Sequence, residues 1–103
     1  MSVSEYDIRQ IRTMRDVIQR FYSGTIDIGQ LYGNLEALWH ILDCESPNGI
    51  LPIDEINKLE VLNASRIEHM ISKEELDDST KSIVRGIDER LIQYLASIGQ
   101  LEP

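Results

Sequence analysis

Glu36 and His40 stand four residues apart in a segment with helical periodicity, so a carboxylate and an imidazole share one helix face and could together hold a surface cation. Two ligands make a weak metal site, and an ordinary helix-surface pair is the expectation. A second spacing runs from Cys44 to Glu55 and has the outline of a twelve-position calcium loop, with Asn48 fifth, Gly49 sixth, Leu51 eighth and Glu55 twelfth. Its first position is Cys44 where a carboxylate is required, and its third is Ser46. Asp43 is one residue out of register, and Pro47 and Pro52 stiffen the segment. The stretch reads as a Pro/Gly turn, Ser46-Pro47-Asn48-Gly49, and not as a cation loop. His69, the other histidine, falls on the polar side of a different helix from His40. No nucleophile motif surrounds a serine, no Gly-rich phosphate loop occurs, and Cys44 has no basic neighbour to depress its thiol pKa. Asn63-Ala64-Ser65 fits a glycosylation acceptor by spacing alone. No metal or cofactor is expected, and the chain reads as a binding protein and not as an enzyme.

Three polar residues interrupt apolar stripes. Arg15 follows Ile11 by four and precedes Ile18 by three; Glu60 follows Ile56 by four; Asn63 follows Leu59 by four and precedes Ile67 by four. A buried carboxylate without a partner is costly, so Glu60 is expected to pair with Arg15. A bidentate pair suits both groups. With Asn63, these residues are expected to form a structural polar network that sets helix register.

The elements that would carry these groups are helices. Ile8, Ile11, Met14, Ile18, Phe21 and Tyr22 form one stripe over 4–22, closed by Ser23-Gly24. Asp27 with Gln30 opens a second helix over 27–43, striped by Ile28, Leu31, Tyr32, Leu35, Leu38, Trp39 and Leu42. Trp39 lies toward one edge of that stripe, and Ile41 points away from it. Pro52 starts a third helix over 52–71, and Ser72 to Glu75 is suited to cap a short turn. A fourth runs over 79–97 through Ile83, Ile87, Leu91, Tyr94 and Leu95, with Gly99 closing it. Four amphipathic helices joined by short links predict an all-α, antiparallel four-helix bundle, one domain over 1–103.

Composition bounds the partners. The net charge is −8 and is unevenly placed. Residues 1–22 are slightly basic, while residues 23–64 carry seven acids against Lys58 alone. Such a surface repels phosphate backbones, so nucleic acid is not expected, and a basic protein is the natural complement. Apolar runs are too short to span a bilayer, the first residues lack the apolar core of a signal peptide, and Cys44 is the only cysteine. A cytoplasmic setting is expected.

The opening helix running into Gly24-Thr25-Ile26, the Leu31, Leu35, Leu38-Trp39 helix, Leu59-Glu60 with Asn63-Ala64, and the final amphipathic helix resemble the small helical immunity proteins of bacterial contact-dependent growth inhibition and related polymorphic toxin systems. The resemblance covers nearly the whole chain and rests on a pattern, with no functional residue carried over by position. It implies a protein that binds a toxin's catalytic domain, a nuclease, and neutralises it by stoichiometric occlusion. The acidic surface around helices two and three is the expected contact, through Asp43, Glu45, Asp54 and Glu55, with Glu36 and Ile41 in support. The other reading is a helical adaptor or regulatory module with a non-toxin protein partner.

Overall fold

The structure, a computed structural model, describes residues 4–43, 49–67 and 73–99. Within them lie four helices and no strand. Glu45, the Cys44–Asn48 half of the loop, His69 and the Ser72 cap lie outside the described residues.

Helix α1 spans Glu5–Tyr22. Ser4 caps it by accepting the Asp7 N–H, Glu5 and Asp7 face the positive end of the helix dipole, and Arg20 faces the negative end. Gly24 follows at φ 81°, a left-handed position that favours glycine. Helix α2 spans Ile28–His40 and opens on a full capping box: Asp27 accepts the Gln30 N–H, and the Gln30 side chain accepts the Asp27 N–H. Helix α3 spans Ile53–Ile67, directly after Pro52, with Asp54 and Glu55 in its first turn. Helix α4 spans Lys73–Ser97 and ends at Gly99, whose φ is 73°.

Two boundaries differ from expectation. Helix α2 stops three residues short of Asp43, because the Leu42 N–H turns back to the Trp39 carbonyl and the Asp43 N–H leaves the helical ladder for α1. Helix α4 begins six residues before Ser79. Residues 73–78 hold no glycine or proline, and their carboxylates are favoured at a helix N-terminus.

The helices form a closed ring in chain order: α1 packs on α2, α2 on α3, α3 on α4, and α4 returns to α1 with fewer contacts. Helices α1 and α3 therefore stand on a diagonal. The core takes Ile11, Met14 and Ile18 from α1, Leu31 and Leu35 from α2, Ile56 and Leu59 from α3, and Val84, Ile87, Leu91 and Leu95 from α4. Ile50 and Leu51, just before α3, close one end. Among the described residues one buried side-chain oxygen is unsatisfied: Thr80 is 3% exposed and its Oγ1 has no hydrogen-bond partner. A buried hydroxyl in that state costs about 1–3 kcal/mol. Thr80→Val keeps the shape and removes the oxygen, so it should raise stability by about 1 kcal/mol in urea unfolding, with an unchanged m-value.

Candidate protein-binding surface

Between α2 and α3 the helices bring three polar side chains together. Tyr32, half-buried on α2, donates its phenol hydrogen to Glu36 Oε2 one turn along. Glu60 on α3 stands close enough that its charge and hydrogen bonding also act on the phenol. The Tyr32 pKa is raised well above the ordinary tyrosine value, first by the bond to Glu36, then by burial, then by the charges of Glu36 and Glu60. The phenol is accordingly a fixed neutral donor. It orients Glu36 and leaves the remaining carboxylate lone pairs to accept from outside.

The sign of the pH effect follows from that shift. A phenol pKa raised in the folded state stabilises the fold up to the ordinary tyrosine range of about 10, and the contribution disappears as pH climbs through the raised value. The absorbance titration of the phenolate band should therefore lose a step above the ordinary tyrosine range in Tyr32→Phe, and the parent should lose more stability than the variant above that range. Coincident titration curves, after allowing for one fewer phenol, would remove the Tyr32–Glu36 bond.

At the end of the bundle where α2 stops and α3 starts, Trp39 is half-buried and its Nε1 donates to the Leu51 carbonyl at 2.7 Å. The His40 ring meets the indole edge-on, with centroids 5.2 Å apart. That bond ties the two helix ends together and brings Asp43, Asp54 and Glu55 to one end. Ile41 is 48% exposed there. Asp43 and Asp54 are exposed, Glu36 and Glu55 half-buried. Glu55 is drawn into an ion pair with Lys58 at 3.2 Å on its own helix. Five residues separate Glu55 from Glu60, so on a helix of about 3.6 residues per turn they occupy different flanks of α3. Of the expected contacts, Asp43, Asp54 and Glu55 thus lie at this end, Glu36 stands with Tyr32, and Glu60, expected in the polar network, joins that second cluster instead.

The expected Arg15–Glu60 pair is not formed. Arg15 Nε binds Asp88 Oδ1 at 3.0 Å, from α1 to α4, and Glu60 is exposed. The ring order explains this: a pair from α1 to α3 would have to cross the core, where desolvation is greatest, whereas α4 is α1's direct neighbour. Asp88 also acts with burial to raise the pKa of Tyr22, with burial the larger cause and Arg85 opposing. Asn63 is half-buried on α3 at the close approach of α2, where a Cβ added to Gly29 would lie 3.3 Å from its Oδ1. Glu60→Ala should leave stability within about 0.5 kcal/mol of the parent. Asp88→Ala, which removes a charge-assisted bond at the edge of the core, should cost about 1–2 kcal/mol. Urea melts of the two variants side by side check both values.

Asp7 escaped the sequence reading altogether. It is 1% exposed, and its Oδ1 accepts the Asp43 N–H at 2.7 Å. Its position four before Ile11 and seven before Met14 continues the α1 stripe, which was the available signal.

Among the described residues no three His, Cys, Asp or Glu side chains gather as a metal would require. No helix there is long and apolar enough to cross a membrane. The chain was compared with protein-family models, with curated proteins and with solved structures. It matches none of them.

Proposed function

We propose that this chain is an immunity protein that binds the basic catalytic domain of a toxin, a nuclease, and neutralises it by stoichiometric occlusion. The observation that carries the binding part of this reading is the Tyr32, Glu36 and Glu60 cluster, where a phenol donates to Glu36 and the charge of exposed Glu60 stands close by. An arginine or lysine from a partner would find in Glu36 an acceptor already oriented, with Glu60 adding charge beside it, which lowers the entropic cost of forming the contact. Exposed Asp43 and Asp54 widen the negative field that draws such a partner in, and Ile41 offers an apolar contact at the rim. The toxin part of the reading rests on the resemblance in the sequence. Its test is to co-express the tagged chain with the untagged product of the neighbouring gene and to follow growth. A stable one-to-one complex and rescue of growth are expected. A complex without any toxicity to rescue would transfer the chain to the adaptor class.

A further inference from the structure

We propose that Asp7 is a positioning residue for the binding surface: its buried carboxylate holds the backbone of Asp43 and so fixes where the acidic end of α2 is presented. The proposal rests on the binding reading above for its consequence, but its geometry stands independently. Asp7 is the third residue of α1 after its cap, Ser4-Glu5-Tyr6-Asp7. In a capping box the side-chain oxygen at that place reaches back to the cap's own amide, as that of Gln30 does in α2. The Asp7 oxygen instead accepts the amide of Asp43, 36 residues away. A carboxylate 1% exposed bears a desolvation cost, and the compensation visible here is the charge-assisted bond together with the positive end of the α1 dipole. The bond takes up an amide released where α2 unwinds after His40, so the position at which Asp43 leaves the helix is set from α1. Asp43 itself is exposed, with its side chain outside this bond.

Hydrogen exchange by NMR on the full chain tests the latch without any partner. In the parent, the Asp43 amide should be protected to the level of nearby α2 amides. Asp7→Ala should speed its exchange by roughly tenfold or more, the factor matching loss of a hydrogen bond to a charged group. Leu31 and Leu59 amides should change far less. Asp7→Asn, which keeps an oxygen acceptor, should restore most of the protection, a rescue that simple loss of packing would not give. An unprotected Asp43 amide in the parent, or equal acceleration at Asp43 and Leu59 in both variants, overturns the proposal. A tetra-arginine peptide then probes the surface by chemical-shift changes. In the parent it should perturb Tyr32, Glu36, Asp43 and Glu60, and in Asp7→Ala the Asp43 response should fall while that of Tyr32 and Glu36 persists. A peptide that perturbs none of these in the parent defeats the acidic-surface reading, while the exchange data still decide the latch.

Discussion

A chain carrying Asp43→Lys, Asp54→Lys and Glu60→Lys should associate with a basic partner domain at least about tenfold more slowly at low salt, and should fail to protect cells that express the toxin. All three side chains are exposed, so the change acts on the field outside the molecule. Opposite charge accelerates encounter, and the screening length falls from about 30 Å at very low salt to about 8 Å at physiological strength. The parent on-rate should therefore drop clearly as salt is added, while its off-rate, held by desolvated contacts, changes less. In the reversed variant the salt dependence should flatten or change sign. Glu36 is left in place because Tyr32 depends on it, and Glu55 because Lys58 already partners it. The melting curve should stay close to the parent's, apart from a small loss where Asp54 sits in the first turn of α3. Full protection by a folded, reversed variant would take the acidic surface out of the mechanism and point to α1 and α4.

Leu59→Ala should cost about 2–5 kcal/mol, a large part of the roughly 5–15 kcal/mol that holds a domain of this size folded. Leu59 is fully buried, and its removal opens a cavity lined by a core drawn from all four helices. Val61, two residues on, is 65% exposed, and Val61→Ala should shift stability by no more than about 0.5 kcal/mol. The pair makes the orientation of α3 measurable by urea unfolding. Equal losses at the two positions would mean that the helix is rotated from the packing described above.

Local rules made much of the fold legible. The Asp27–Gln30 box and the left-handed Gly24 and Gly99 are set by neighbours within a turn or two and stand as read. The apolar stripes do so too, except that Tyr22 is exposed and Val17 and Val84, outside the stripes as read, are buried. The exposure of Ile41 and the position of Trp39 at the edge of its stripe follow from the same periodicity. What was not legible depends on which helices are adjacent. Arg15 has several acids of suitable type in the chain, and only the ring order selects Asp88 over Glu60. Glu60 follows Leu59 by one residue, which is enough rotation to carry it from the core to the α2 flank. Asp7 shows the opposite failure: its stripe position signalled burial, but the group it serves is a backbone amide, which no pattern of side chains announces.

The indole of Trp39 is the only one in the chain, and its nitrogen is committed to the Leu51 carbonyl at the junction of α2 and α3. The protein thus carries an optical reporter at the end of the bundle that bears Asp43 and Asp54. Emission excited at the red edge, where tyrosine does not absorb, need not be interpreted as an average over many sites, because it comes from one location within a few residues of the proposed contact. Stopped-flow mixing with a tryptophan-free partner would turn that signal into a label-free record of docking.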